Sequence, residues 1–426
     1  MSALLENYHR KVSSASAALK HVKPGQKVLV APFCSEPQEL IEAIVNMECP
    51  GDVYLYTMNQ GSPCLYSKAK ASSNLKIRTM LSAAGLRDSF EAGRADYIPM
   101  NLSEVPKWIA TQNFDVALVQ LTPPNDEGYC NLGISVDFVK SAIKNAAYVV
   151  AEVNEYMPWT SGETLVSVED IDAFVMSSRS LLTIPAAEHS GVQRLIGENV
   201  TELVPNGATI QVGVGKIADS ILFELKSKHS LGVHSGMISD GVASLIEKGV
   251  VTNELKAINR GKTVCTSVMG SEWLYRFVNE NPSIELYPAD YTHHPSTLMK
   301  LDNFYAINSA LEVDLTGQVN AEQVGKYPIG GVGGQVDFIR GASLSRGGAS
   351  IIALPSVAKG GQVSRIVPSL KNVTTLKSDI TYVVTENGVA KLYGTSIRQR
   401  VGQMLNIAHP AFREQLRYKA KELGYI

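Results

Sequence analysis

VKPGQKVLV, residues 22–30, recurs in outline as VPNGATIQV, residues 204–212, and this recurrence indicates how the chain folds. Both begin with Val, place Gly three residues later, and end in a short run with apolar residues at two matching positions. Each is followed by a loop and an amphipathic stretch with helical spacing, EPQELIEAIV or IADSILFEL. The offset of 182 residues predicts two similar halves, residues 1–190 and 191–426, joined near PAAEHSGVQRLIGENV (185–200).

Short β-branched runs alternate with helical stretches along most of the chain. The clearest runs are QKVLVAPF, DVYLYTM, FDVALVQLTPP, AAYVVAEV, ATIQVGVG, ASIIALP and ITYVVTENG. This alternation predicts an α/β fold with largely parallel sheets that are covered on both faces. The last 31 residues have apolar residues at helical spacing and are expected to be helix-rich.

Composition narrows the class of partner. The chain has 426 residues, 45% of them apolar, and a formal net charge of -2, as in an ordinary globular protein. Lys and Arg (39) nearly balance Asp and Glu (41) without a long basic run, so we expect a small-molecule partner and neither nucleic acid nor a membrane surface. The N-terminus lacks a secretory pattern and no run approaches the ~18 apolar residues of a spanning helix, which predicts a cytoplasmic protein.

Cysteine usage indicates neither a disulfide framework nor a zinc site. The five cysteines are scattered, and none forms a CxxC pair: Cys34, Cys49, Cys64, Cys130 and Cys265. We expect most of them to be buried thiols and expect no metal.

Ligands of open α/β sheets bind beyond the carboxyl ends of the strands, so glycine-rich loops there are the candidate sites. In QVGVGKIADSIL, Gly213 and Gly215 leave a strand and lead into a helix, which suits either phosphate binding or a tight turn. In PIGGVGGQVDF, four glycines in five residues suit a backbone held against a ligand, with amides exposed as an oxyanion hole, or a flexible turn.

Two further loops qualify. LPSVAKGGQVSRIVPSL places Lys359 and Arg365 beside two glycines, as a phosphate site or as ordinary surface cations. GVHSGMISDG, residues 232–241, places Gly236 between the end of a strand and a helix that begins near Ser239 or Asp240. Taken alone, Gly236 is most simply a residue that lets the backbone bend.

Together these loops resemble those of the acetyl-CoA hydrolase/transferase branch of the class I coenzyme A transferases, most closely the 4-hydroxybutyrate, butyrate and acetate CoA-transferases. The resemblance covers nearly the whole chain and includes EAGRADYIPMNLSEVP, TPPNDEGYCNLGISVDF, AEVNEYMPWTSGE, INSALEVDLTGQV, GGVGGQVDFIRGASLSRGG and YVVTENGVAKLYG. It implies two α/β domains with an acyl-CoA site in the cleft between them, and a homo-oligomer.

The resemblance also implies roles for particular residues. Contact with coenzyme A falls to Gly213, Val214, Gly215, Lys216 and Ile217, and we add Lys359. The thioester faces Gly331, Gly333 and Gly334 as oxyanion donors. The loop APFCSEPQ forms the opposite wall and brings Phe33, Cys34 and Glu36 near the acyl group.

This chain departs from the family pattern at the reaction centre. Related chains read HSEM or HTEM, and their glutamate attacks the thioester to give a mixed anhydride and then a glutamyl-CoA thioester. Here HSGM places Gly236 at that position. Related chains read YVNDP where this chain has YTHHP with His293 and His294, and Gly330 replaces a serine before the glycine loop.

Successive side chains of an extended backbone point in opposite directions, so at most one of the two histidines is expected to face the site. An unperturbed imidazole pKa of about 6.5 suits a general base. A two-histidine metal site lacks a third ligand at recognisable spacing.

We therefore predict an acyl-CoA-dependent enzyme in which a second substrate or water uses the space above Gly236 and attacks the thioester directly, activated by His293 or His294. Hydrolysis, acyl transfer to an amine or hydroxyl, and carbon-carbon chemistry beside the thioester all fit. Two alternatives stay open: a conventional CoA-transferase whose carboxylate is displaced, with Glu36 as the nearest candidate, and a CoA-binding pseudoenzyme. Restoring the family residue, Gly236→Glu, is predicted to create CoA-transferase activity.

Overall fold

The computed structural model describes residues 3–47, 51–68, 74–185 and 191–426. Cys49 and residues 186–190 of the predicted joining segment lie outside the described residues. From Gly191 the chain is helical, so the second part of that segment begins a helix.

The chain forms two compact units, each assembled from more than one segment. The first comprises Met1–Pro185, Cys265–Tyr291 and Tyr327–Gly333, and the second comprises Ala186–Val264, Thr292–Lys326 and Gly334–Ile426. The boundary predicted between residues 190 and 191 is close to the first passage between units. As a domain division it stays a prediction, and it does not include the two later segments.

A parallel sheet forms the centre of the first unit. Its strands, in order across the sheet, are Ala173–Ser177, Tyr148–Asn154, Val116–Leu121, Lys27–Val30, Val53–Met58, Leu75–Leu81 and Ala95–Tyr97. The hydrophobic core on one face includes Val28, Leu55 and Ile77. Shorter pairings within the unit join Tyr129–Asn131 to Leu165–Ser167, antiparallel, and Ser161–Gly162 to Ile284–Leu286, parallel.

The second unit repeats this plan. Its main sheet has the order Gly232–Val233, Thr209–Val212, Phe304–Ser309, Ala349–Ala353, Tyr382–Thr385 and Gly388–Lys391, parallel except for the last, antiparallel edge strand. Smaller pairings join Glu312–Asp314 to Val319–Asn320 and Ile366–Val367, and Val357–Ala358 to Val363–Ser364. The predicted α/β class with largely parallel sheets is confirmed.

The α-helices alternate with these strands, as the hydrophobic pattern predicted. They are Ala3–Lys11, Ala15–Ala18, Gln38–Asn46, Arg87–Glu91, Val105–Ile109, Val139–Asn145, Gly191–Leu203, Lys216–Glu224, Asp240–Glu247, Glu272–Val278, Ala289–Thr292, Pro295–Leu298, Gln335–Leu344, Ile397–Ile407 and Arg413–Glu422. Within the described part of the chain, every helix is too short or too polar to cross a membrane.

The echo that opens each half is a repeated turn. Gln26 N–H donates to Lys23 O, and Ala208 N–H donates to Pro205 O, at 3.2 and 3.3 Å. Gly25 and Gly207 occupy the third position of these turns with φ of +85° and +76°. Glycine is required there because other residues adopt a positive φ only at a cost, so the shared spacing of the two stretches reflects one local geometry.

Candidate functional site

The loop that follows Gly232–Val233 is fixed through its backbone. His234 N–H donates to Ile210 O at 3.1 Å, and Ser235 N–H donates to Val264 O at 2.9 Å. The loop is buried from Gly232 to Gly236. Gly236 therefore has a position set by neighbouring strands of the second unit.

The imidazole of His293 lies directly against Gly236. A β-carbon at position 236 would lie 2.7 Å from Nε2 of His293, 3.1 Å from its Cε1, and 3.3 Å from Cε2 of Phe338. The backbone of Gly236 is not in the left-handed region, so the neighbours and not the φ angle call for glycine. The prediction of free space above Gly236 is therefore wrong, because the ring of His293 occupies that space.

A second glycine contacts the same imidazole. A β-carbon on Gly334 would lie 2.6 Å from Nε2 of His293 and 3.1 Å from Cε2 of Phe338. Gly334 precedes the helix Gln335–Leu344 and is partly exposed. Nε2 of His293 consequently faces two positions that carry no side chain, 98 residues apart in sequence.

The opposite edge of the ring is held by polar and aromatic partners. Nδ1 of His293 lies 2.7 Å from Oγ1 of Thr292, and the ring centroid lies 4.4 Å from that of Phe338. The side chain is 1% exposed. Since χ freedom is lost under such packing, Nε2 keeps one direction, toward the glycines.

His234 connects the glycine loop to the segment that carries His293. Its Nε2 lies 3.0 Å from Thr292 O, which requires Nε2 to carry the proton. Burial, together with the charge of Lys256, lowers the pKa of His234 to about 3, so this imidazole is neutral at physiological pH. Lys256 is itself buried and donates from Nζ to Val233 O at 2.8 Å and to Lys262 O at 2.6 Å.

His294 lies in a different environment. It is exposed, and its Nδ1 accepts a hydrogen bond from Ser296 N–H at 3.2 Å, which caps the helix Pro295–Leu298. Only the first histidine of the pair therefore meets Gly236. The structure does not bring His294 there.

A different structural reason accounts for glycine at each of the three positions predicted as oxyanion donors. A β-carbon on Gly331 would meet Met80 O at 3.1 Å and Leu81 Cδ1 at 2.9 Å. Gly333 has φ of +52° and accepts from Leu102 N–H at 3.0 Å, also within the first unit. Gly334 packs against His293, so a separate contact or backbone angle accounts for each of these three glycines.

Gly213 has no such reason. A β-carbon there would meet nothing within 4 Å, and its φ is not positive. Its N–H donates to Ile307 O at 3.1 Å, and the chain continues through Gly215, with φ of +107°, into the helix Lys216–Glu224. Neither the described neighbours nor the backbone angle therefore demands a glycine at this position.

The two cations of the third predicted loop are used differently. Lys359 is exposed at the tip of the hairpin between Val357–Ala358 and Val363–Ser364. Arg365 donates from Nη1 to Ala310 O at 3.2 Å, and burial lowers its pKa. Lys359 is therefore open to solvent, whereas Arg365 is bonded to the main chain.

Glu36 lies in a saturated polar cluster of the first unit. Its carboxylate accepts from Ser62 Oγ at 2.8 and 2.9 Å, from Tyr66 OH at 2.8 Å and from Gln38 Nε2 at 3.0 Å. The side chain is 0% exposed, and burial raises its pKa against the opposing effect of these hydrogen bonds. Both carboxylate oxygens are engaged.

The remaining residues of the predicted opposite wall are also buried. Phe33 has φ of +59°, an uncommon conformation for a bulky residue. Burial raises the pKa of the Cys34 thiol to about 11, so it is not an activated nucleophile. Sequence reasoning named Phe33, Cys34 and Glu36 but missed Thr292, His234 and Phe338, which contact or hold His293. The motif HSGM contained His234 as the one available signal.

Two family models match the chain in tandem. The acetyl-CoA hydrolase/transferase N-terminal domain matches residues 3–184, and the corresponding C-terminal domain matches residues 270–420. The chain belongs to the acetyl-CoA hydrolase/transferase family, and it is an enzyme of that family.

Individual relatives cover both units. The chain is 43% identical over 426 residues to the 4-hydroxybutyrate coenzyme A transferase of Clostridium kluyveri, covering 98% of this chain and 99% of the relative. The structure of RipA from Yersinia pestis matches with a TM-score of 0.94 and 31% identity over 100% of both chains. The structure of 4-hydroxybutyrate CoA-transferase from Porphyromonas gingivalis matches with a TM-score of 0.82 and 34% identity, covering 98% of this chain and 99% of that one.

Proposed function

We propose that this chain is an acyl-CoA-dependent enzyme in which water or a small-molecule acceptor attacks the thioester directly, with His293 as general base. The single observation that supports this proposal is the position of Nε2 of His293 between Gly236 and Gly334. Since neither glycine carries a side chain, the imidazole is the one reactive group described at this point of the second unit.

The proposed chemistry uses one proton relay. Nε2 accepts the proton of the acceptor O–H or N–H as the acceptor atom bonds to the thioester carbonyl carbon. The tetrahedral intermediate then breaks its C–S bond, and the sulfur of coenzyme A takes the proton from the imidazolium. Backbone N–H groups of Gly331, Gly333 and Gly334 are proposed to stabilise the intermediate's negative oxygen.

The loop Gly213, Val214, Gly215, Lys216 and Ile217 is proposed to bind coenzyme A. The open space beside Gly213 and the exposed Lys216 support this assignment, because N-terminal amides of a helix and a nearby ammonium attract phosphate. Lys359 is proposed as a second cation for the same ligand. A cytoplasmic location and a homo-oligomer stay predictions.

The displaced-nucleophile alternative receives little support from the surroundings of Glu36. A carboxylate that accepts from Ser62, Tyr66 and Gln38 would have to break these bonds before it could attack a thioester. For the pseudoenzyme, the buried and oriented imidazole is an unexplained feature. Direct attack explains it.

The test measures coenzyme A release and protein mass after incubation with a panel of acyl-CoA thioesters, with borohydride trapping in parallel. We expect release without a covalent adduct, and a loss of about 100-fold in the rate for His293→Asn. His294→Asn is the matched control, since that adjacent histidine is exposed and caps a helix. A glutamyl-CoA adduct would establish the conventional transferase, and tight binding without release would establish a CoA-binding protein.

A further inference from the structure

The glycine loop Tyr327–Gly333 belongs to the first unit and is bound there by residues at the ends of two neighbouring strands. Ser82 directly follows the strand Leu75–Leu81, and Tyr97 is the last residue of the adjacent parallel strand Ala95–Tyr97. Open α/β sheets bind their ligands beyond the carboxyl ends of such strands. The loop is therefore held at an edge of the sheet that suits a substrate.

Three hydrogen bonds fix the directions of main-chain groups in this loop. Ser82 N–H donates to Gly330 O at 3.1 Å, and Ser82 Oγ donates to Pro328 O at 3.1 Å. Val332 N–H donates to the phenol oxygen of Tyr97 at 3.0 Å. Since a main-chain N–H can only donate, the last bond has one possible direction, whatever other contacts Tyr97 makes.

These bonds orient Gly331, which lies between two of them. The peptide bonds of the loop are trans, and the C=O and N–H of a trans peptide unit point in opposite directions. Because Gly330 O faces Ser82, the N–H of Gly331 points to the other side of the loop. Because Val332 N–H faces Tyr97, the carbonyl of Gly331 also points away from Tyr97.

We propose that Tyr97 is a positioning residue for the thioester reaction: its phenol oxygen, together with Ser82 N–H, aims the N–H of Gly331 at the oxygen that becomes negative in the tetrahedral intermediate. The proposal rests on the proposed function, which assigns amides of this loop as oxyanion donors. A donor whose direction the fold has already set stabilises that charge without reorganising during the reaction. Tyr97 acts through the main chain and needs no contact with the substrate.

The test compares Tyr97→Phe, which removes only the phenol oxygen, with Tyr393→Phe as the matched control. Tyr393 is 69% exposed and belongs to the second unit. In the full chain, hydrogen–deuterium exchange in peptides that cover residues 327–334 should become about 10-fold faster in Tyr97→Phe, as loss of one neutral hydrogen bond implies. We expect kcat for coenzyme A release to fall about 10-fold with KM unchanged, since the affected donor acts only in the transition state. The control should match wild type in both measurements.

The outcomes separate this inference from the function on which it rests. Unchanged exchange in Tyr97→Phe would overturn the hold on the loop. Faster exchange with unchanged kcat, or with a loss confined to KM, would overturn the positioning role and leave direct attack in place. If the wild type releases no coenzyme A, the proposed function fails, and exchange still decides whether Tyr97 holds the loop. Ser82→Ala removes the bond to Pro328 O, so it repeats both measurements at a second position if Tyr97→Phe unfolds.

Discussion

Two buried polar clusters, one in each unit, invite comparison: Glu36 with its donors, and His293 with its glycines. Both side chains are almost fully excluded from solvent, at 0% and 1% exposure. Glu36 accepts from Ser62, Tyr66 and Gln38, so its hydrogen-bonding groups are occupied by the fold. Nδ1 of His293 lies against Oγ1 of Thr292, and the Nε2 edge of its ring packs against Gly236 and Gly334.

The difference between these two clusters bears on which buried polar group is structural and which can react. A group that is fully hydrogen-bonded stabilises its surroundings and loses reactivity, because each bond must break before chemistry starts. A group that packing holds in one direction has the orientation that general-base chemistry needs. Under the proposed function, His293 is the reactive group and Glu36 is part of the scaffold.

The largest effect is expected from a substitution at Gly236 that displaces the imidazole of His293. The sequence alone predicted that Gly236→Glu restores transferase activity, but its β-carbon would meet Nε2 of His293 at 2.7 Å. We now expect the single variant to displace the imidazole and lose at least about 100-fold in coenzyme A release. The measurement is thiol release from the acyl-CoA that the wild type prefers.

The double variant Gly236→Glu, His293→Asn removes the obstructing ring and completes the control set. We expect it to gain exchange of coenzyme A between an acyl-CoA and a free carboxylate, with a borohydride-sensitive adduct on residue 236. Equal activity of the single and double variants would show that His293 is not what excludes a side chain there.

The second prediction concerns the stability of variants at Glu36, the buried carboxylate of the first unit. Glu36→Ala leaves three donors without their acceptor, of which Tyr66 OH is fully buried, and opens a cavity, so we expect a loss of roughly 3 kcal/mol in the free energy of unfolding. Glu36→Gln keeps the shape and one acceptor, and should lose less. Thermal melting measures both, alongside turnover per folded molecule.

The turnover of Glu36→Gln tests whether Glu36 is structural or reactive. If Glu36 is scaffold, kcat of Glu36→Gln stays within a few-fold of wild type. A loss as large as that of His293→Asn, in a variant that melts normally, would return Glu36 to the list of reactive groups.

Sequence patterns predicted the fold well because the signals are local. β-branched runs marked the parallel strands, and the glycines at residues 25 and 207 marked a turn with positive φ. The site was predicted only in part, since the contact of Gly236 with His293 joins residues 57 positions apart and no periodicity encodes it. Arg365, grouped with Lys359 by proximity in sequence, illustrates the limit: its guanidinium turns to Ala310 O.

Asp137 is a third buried polar group, and its effect on stability is expected to depend on pH. Neither oxygen of Asp137 accepts a well-formed hydrogen bond from the described residues, and burial, only partly offset by Phe138 N–H, raises its pKa from 3.8 to about 7. A raised folded-state pKa means that stability is full below about pH 4 and is lost as pH rises toward 7. Asp137→Asn should therefore raise the free energy of unfolding at pH 8 by an amount on the order of 2 kcal/mol, seen as a higher melting temperature, and show little gain at pH 4.

Glu152, a second buried carboxylate, serves as the control for this effect. Burial also raises the pKa of Glu152 to about 7, but its Oε2 accepts from Glu39 N–H at 2.8 Å and Leu40 N–H at 3.3 Å. Its pH dependence has the same sign and is present in both proteins, so it cancels in the difference between wild type and Asp137→Asn. Asparagine also tolerates the φ of +33° at residue 137, which keeps the backbone unstrained. A gain of equal size at both pH values would mean that charge burial is not the cause.

The smallest effect separates glycines required by packing from glycines that leave room for a ligand. Gly334→Ala places a β-carbon 2.6 Å from Nε2 of His293, so both stability and turnover should fall. Gly213→Ala meets nothing within 4 Å and has an ordinary φ, so its melting temperature should stay the same or rise slightly, since alanine restricts the unfolded chain. If a coenzyme A phosphate approaches the backbone at Gly213, the added methyl group should raise KM for acyl-CoA several-fold while kcat holds. An unchanged KM would remove Gly213 from the binding loop and leave only the positive φ of Gly215 to explain why this stretch is rich in glycine.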